Sequence, residues 1–165
     1  MFPLATFAAG CFWHVQVAFD AVKGVKKTTV GYMGGKVKNP SYLQVCTHLT
    51  GHAEVCQVEY NQKTVSYQEL LKVFWKIHDP TQKNRQGLES VTSFRSFPLE
   101  SVGYQYRSVI FYYTEEQREI AEKSKKKEQK KYKKPIATEI VPASEFYSAE
   151  EYHQKYLEKK GRKVC

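Results

Sequence analysis

Thr6-Phe7-Ala8-Ala9-Gly10-Cys11-Phe12-Trp13-His14-Val15 is the stretch on which the reading of the fold turns. Thr6 to Ala9 suits a short buried strand that enters a helix at about Cys11. Phe12, Val15, Phe19 and Val22 then recur at helical spacing until Gly24. Outward from there, Lys26 to Tyr32 alternates like a strand, and Met33-Gly34-Gly35 reads as a turn. Asn39-Pro40-Ser41 marks a break before a short helical turn over Tyr42 to Cys46. Glu54 to Tyr60 alternates again as a second strand. Ser66 caps an amphipathic helix carrying Leu70, Leu71, Phe74, Trp75 and Ile77, which ends before Asp79-Pro80. A strand over Tyr106 to Tyr113, a charged helix from Glu115 to about Lys131 and a strand over Ile136 to Val141 follow. A short helix beginning after Ser148 and running through Tyr156, and a lysine-rich tail, complete the chain. Strands interleaved with helices indicate an α+β domain with an antiparallel or mixed sheet.

The chain of 165 residues is expected to form one domain, 1–165, large enough to hold a core without disulfide staples. Four unevenly spaced cysteines fit a reducing, cytoplasmic compartment better than a disulfide framework. No apolar run approaches the ~20 residues needed to span a bilayer. Phe7 to Cys11 faintly resembles a lipoprotein cleavage site but lacks a basic leader. The net charge of +9 is concentrated in two stretches, Arg118 to Lys134 at +6 (nine Lys/Arg, three Glu) and Lys155 to Lys163 at +4 (five Lys/Arg, one Glu). Without a recognisable binding motif the first reads as a solvated helix face, not a nucleic-acid site.

Two groups of residues invite chemistry. A cysteine at a helix start has backbone amides and a dipole to favour its thiolate, although buried cysteines are commonly inert. Phe12 and Trp13 beside Cys11 offer an apolar wall for a small substrate group. Cys46, His48, His52 and Cys56 could supply zinc ligands, but they spread over a turn and a strand instead of pairing tightly, so no metal is assigned. Glu54 shares a strand face with Cys56. In a dry aromatic pocket it would be a general acid, and otherwise it is a solvated edge glutamate.

Seven blocks, in order, are similar to peptide methionine sulfoxide reductase A: Gly10–Trp13, Gly31–Gly35, Asn39–Tyr42, Thr50–Glu54, His78–Thr81, Gln105–Ser108 and Tyr152–Leu157. The resemblance implies a two-layer sandwich with a ferredoxin-like core, its sheet flanked by helices, and an irregular C-terminal segment. It also implies reduction of methionine-S-sulfoxide, free or protein-bound. Cys11 would be the nucleophile, Phe12 and Trp13 the pocket for the S-methyl group, and Glu54 the proton donor, with Tyr42 and Tyr106 hydrogen-bonding the sulfoxide oxygen. Cys165, on a flexible tail over 157–165, would resolve the Cys11 sulfenic acid as a disulfide that thioredoxin reduces. A monomer without a bound cofactor is expected, with neither a membrane nor a specific nucleic acid as partner. Three departures stand out: His14 where the family usually has a small residue, Ser101 where it has an aspartate, and an apparent loop insertion over 88–99.

Overall fold

Gly10 adopts φ 96°, a left-handed conformation that glycine takes without strain. There the chain leaves β1 (Leu4–Ala9) for α1 (Phe12–Asp20), with Cys11 as the flanking residue of the helix. The computed structural model describes residues 2–86 and 101–160, with backbone alone at 101 and 102. After α1 come β2 (Val25–Met33), α2 (Tyr42–Cys46), β3 (Ala53–Tyr60), α3 (Tyr67–Lys76), β4 (Arg85–Gln86) and β5 (Ser101–Val102). A 3-10 turn (Tyr104–Tyr106) leads into β6 (Ser108–Tyr112), α4 (Glu115–Gln129), β7 (Glu139–Pro142) and β8 (Tyr147–Ser148). A second 3-10 turn (Glu151–His153) and α5 (Tyr156–Lys159) follow.

Six strands form one sheet in the order β7-β6-β1-β3-β2-β8, and β4 pairs with β5 separately. Within the large sheet only β6 and β7 run parallel. The inner four strands, with α1 joining β1 to β2 and α3 joining β3 to β6, form a ferredoxin-like core. The expected α+β class and mixed sheet are what the molecule has.

Alternation along β1 sends Phe7 toward the helices and Ala8 to the opposite face. The Phe7 ring stacks on Phe19 of α1 at 5.1 Å and lies 5.4 Å from Phe74 of α3, among Leu70, Leu71, Val30 and Val58. The other face buries Ala8, Met33, Ala53, Val55, Val109 and Phe111 under Val141, Ala143 and Phe146. Ser66 and Glu69 form the capping box that starts α3, and Ser41 and Gln44 form a second one at α2.

Four local expectations are corrected. Tyr106 lies in a 3-10 turn and not in a strand, because the Arg107 guanidinium captures the Tyr104 carbonyl (Nη1, 3.0 Å) and the Gly51 carbonyl (Nη2, 2.9 Å), holding the turn against the start of β3. After Ser148, which pairs with Gly31 in β8, the chain forms a 3-10 turn over Glu151–His153 and not the start of a continuous helix. Lys155 takes a left-handed φ of 56° between the second 3-10 turn and α5, which splits the expected terminal helix. Leu157, expected in the tail, is buried in α5. The remaining tail with Cys165, and the insertion over 88–99, lie outside the described residues.

The C-terminal segment is fastened by amide side chains. Gln154 accepts from Val30 N (3.0 Å) and donates to Val30 O (2.9 Å), completing the free edge of β2 beyond β8. The Lys155 amide donates to Gln16 of α1 (2.7 Å), whose Nε2 in turn reaches Thr28 of β2. Among the described residues no helix is long and apolar enough to cross a membrane.

Gly31 is where the segment approaches most closely: a Cβ there would lie 2.3 Å from the Tyr147 carbonyl and 2.6 Å from the Phe146 ring. Gly31→Ala is therefore expected to push β8 off its partner and lower stability by about 1–3 kcal/mol, as overpacking does. Denaturant unfolding measures this, and an unchanged midpoint would show that β8 is not held by that contact.

Candidate active site

The start of α1 and the start of β3 meet at one hydrogen bond. Phe12 N donates to Glu54 Oε1 at 3.2 Å, so the helix that begins after Cys11 rests on the carboxyl of a strand residue. Glu54 is 1% exposed, and its Oε2 has no hydrogen-bond partner among the described residues. Burial pushes its pKa up to about 8, against the opposing pull of the Phe12 amide. Glu54 is thus a neutral acid at neutral pH, not a solvated edge residue.

Cys11 is half-buried beside it. The amides of Trp13 and His14 favour the thiolate, as a helix start should, yet burial outweighs them and holds the thiol above the ordinary cysteine range, and ionisation of Glu54 would raise it further. Of the two effects weighed from sequence, burial is the larger here, because the amide effect is local and the desolvation comes from the packed surroundings. His14 contributes its backbone amide to the thiol.

Two phenols complete the oxygen-rich side. Tyr42, at the start of α2, and Tyr106, in the first 3-10 turn, lie close to each other, and both sense the Glu54 carboxyl. Burial pushes both far above the usual tyrosine range, so both remain protonated donors. The structure therefore gathers Cys11, Glu54, Tyr42 and Tyr106 around one point.

Phe12 and Trp13 diverge, as neighbours on a helix must. Phe12 is buried with its ring 5.8 Å from Tyr32 and 5.2 Å from His153. Trp13 is half-buried. It stacks on Tyr156 at 3.8 Å and donates from Nε1 to His153 Nδ1 at 3.0 Å. The indole is a donor only, so the His153 proton sits on Nε2, which is buried and unpartnered among the described residues. Burial lowers the His153 pKa and keeps the ring neutral. His153 also packs against Tyr42 at 4.5 Å and Tyr152 at 4.1 Å.

Sequence reasoning assigned no part to His153, Tyr156, Tyr32 or Glu150. Glu150 accepts from the Tyr32 hydroxyl (3.0 Å) and the Tyr42 amide (2.9 Å). Burial pushes its carboxyl up, but the Tyr42 amide, its own amide and the Tyr32 phenol bring it below the ordinary range. One signal was available: Gln16 on the apolar face of α1 announces a polar partner that must be brought to it, and Lys155 supplies one.

The residues weighed for zinc are engaged elsewhere. His52 accepts from Gly35 N and bonds the Val37 carbonyl, His48 bonds Gln105, Cys46 lies beside Tyr42, and Cys56 is buried in the core. Among the described residues no group of three His, Cys, Asp or Glu gathers for a metal. Ser101 lies in β5 opposite Gln86.

Residues 4–165 match the model of the family described as peptide methionine sulfoxide reductase. The chain belongs to that family. It is 58% identical to the peptide methionine sulfoxide reductase MsrA of Methanosarcina acetivorans over 95% of this chain and 78% of that one. The MsrA of Methanothermobacter thermautotrophicus is 53% identical over 98% and 89%. Among solved structures, reduced Mxr1 of Saccharomyces cerevisiae superposes with a TM-score of 0.86 at 37% identity, covering 99% of this chain and 88% of that one. Mxr1 in complex with Trx2 superposes at 0.62 with 27% identity, covering 93% and 84%. This reductase is accordingly an oxidoreductase that acts on methionine sulfoxide.

Glu54 links the site to stability. Its folded pKa of about 8 exceeds the ordinary value of 4.5, so the folded state holds the proton more tightly and loses stability as pH rises from about 4.5 through 8. Glu54→Gln, which cannot ionise, is expected to raise the thermal midpoint at pH 9 relative to wild type and to change it little at pH 4. Equal midpoints at pH 9 would mean that the carboxyl is not strained by ionisation.

Proposed function

We propose that this reductase takes the S-epimer of methionine sulfoxide, free or in oxidised proteins, with Cys11 as nucleophile and Glu54 as acid. The observation that carries the proposal is the neutral, buried Glu54 carboxyl at the helix start that bears Cys11, with two protonated phenols alongside.

Cys11 rests as a thiol. The sulfoxide sulfur is electron-poor, so its approach favours the thiolate. As the Cys11 sulfur attacks, Glu54 gives its proton to the sulfoxide oxygen, and the Tyr42 and Tyr106 hydroxyls stabilise the charge developing there. The oxygen passes from substrate sulfur to Cys11. Thiol plus sulfoxide gives sulfenic acid plus thioether, and the thiol proton replaces the one that Glu54 donated. Phe12 and Trp13 wall the S-methyl group, with Trp13 held by His153 and Tyr156.

The Cys165 thiol then condenses with the sulfenic acid, releasing water and forming the Cys11–Cys165 disulfide, which a dithiol reopens by exchange. Thioredoxin is the proposed reductant, supported by the superposition on yeast Mxr1 bound to Trx2. The setting is cytoplasmic protein repair by a monomeric single domain over 1–165, without a bound cofactor or metal.

Turnover of separated sulfoxide epimers with thioredoxin tests the assignments. Cys11→Ser is expected to abolish methionine formation, and retained turnover sinks the scheme. Cys165→Ser should form one methionine per enzyme and then stop, whereas thioredoxin-driven cycling at the wild-type rate removes Cys165 as resolver. Glu54→Gln should slow the first methionine by about 10²–10⁴-fold. The wild-type rate should fall as pH rises through about 8, where Glu54 loses the proton it donates. A rate that is flat across that range would exclude Glu54 as the acid.

A further inference from the structure

The two phenols that meet beside Glu54 come from two short pieces of chain. Tyr42 opens the five-residue helix α2, and Tyr106 closes a three-residue 3-10 turn. Neither piece is long enough to hold itself in place. Arg107 fixes the turn to β3 through the Tyr104 and Gly51 carbonyls, but that contact does not reach α2. A second link does. His48, just past the end of α2, places Nδ1 2.6 Å from Oε1 of Gln105, the residue preceding Tyr106. Gln105 is buried, and its carbonyl oxygen can only accept, so His48 Nδ1 carries the proton.

The contact is made at a conformational cost. His48 has φ 67°, in the left-handed region that favours glycine. Gly103, at φ 143°, leaves the space that the ring occupies: a Cβ there would lie 2.4 Å from His48 Cε1 and 2.5 Å from Gln105 Oε1. A strained, exposed histidine seated on a bare glycine and bonded to a buried amide is more than a solvated turn residue.

We propose that His48 is a positioning residue for sulfoxide reduction: its hydrogen bond to Gln105 locks α2 to the 3-10 turn and sets the meeting of the Tyr42 and Tyr106 hydroxyls. The inference rests on those hydroxyls serving the sulfoxide oxygen. Substrate does not touch His48. The imidazole acts through Gln105 and the turn.

The test is single-turnover methionine formation by the full chain at saturating methionine sulfoxide, with thermal unfolding in parallel. His48→Gly removes the donor and also relieves the backbone strain. It should slow the first methionine roughly tenfold, the worth of one hydrogen bond, with KM little changed and the thermal midpoint not below wild type. His48→Asn should restore the rate to within about threefold, because asparagine tolerates positive φ and its Nδ2 occupies the place of the histidine Nδ1. Gln105→Met should match His48→Gly, and the double variant should be no slower than the slower single one. A wild-type rate in His48→Gly, additive losses in the double variant, no rescue by asparagine, or a loss of rate that only follows a lowered midpoint would each overturn the proposal. Tyr42→Phe and Tyr106→Phe separate it from the reading beneath. If both keep the wild-type rate, the role of the phenols fails. If they are slow while His48→Gly is not, the positioning role alone fails.

Discussion

The hydrogen bond from the Phe12 amide to Glu54 is the constraint on which the rest of the site depends. It joins the helix that follows Cys11 to a central strand, and it satisfies one carboxyl oxygen while leaving the other dry. A single amide does not offset the loss of water, so the carboxyl stays protonated. Glu150 shows the alternative: with two amides and a phenol around it, a carboxyl at the same site is held ionised. The fold thus keeps two carboxyls in opposite states through the number of donors each receives.

The apolar side of the site is assembled differently. Ring contacts run from Phe12 and Trp13 through His153 to Tyr42, Tyr152 and Tyr156, with a single directional bond between the indole and the imidazole. These rings come from three separate parts of the chain. What keeps them in register lies outside the site, in the grip of Gln154 on Val30 and of Gln16 on the Lys155 amide.

Much of this was legible in the sequence because the signals are local. Alternation located β2 and β3, helical spacing located α1, and Ser66 announced the start of α3 as its cap. The thiol, the carboxyl and the two tyrosines could be named from motifs, and the chain brings them together. What could not be read depends on partners far away in the chain. Two residues of β8 carry no periodicity, and Tyr106 left its expected strand because Arg107 holds a carbonyl more than fifty positions upstream. The state of the thiol was left open for a related reason: amides at a helix start follow from adjacent residues, whereas desolvation is set by packing that only the tertiary structure supplies.

The indole–imidazole bond spans 140 positions of sequence. During synthesis the N-terminal end of the chain emerges first, and Cys11 then has neither His153 nor Tyr156 near its neighbouring indole. The apolar half of the site forms only when residues 150–156 have been made and laid along β2. A ribosome-bound chain therefore carries Cys11 beside an indole that lacks these partners, and the ring cluster closes only with docking of the C-terminal segment.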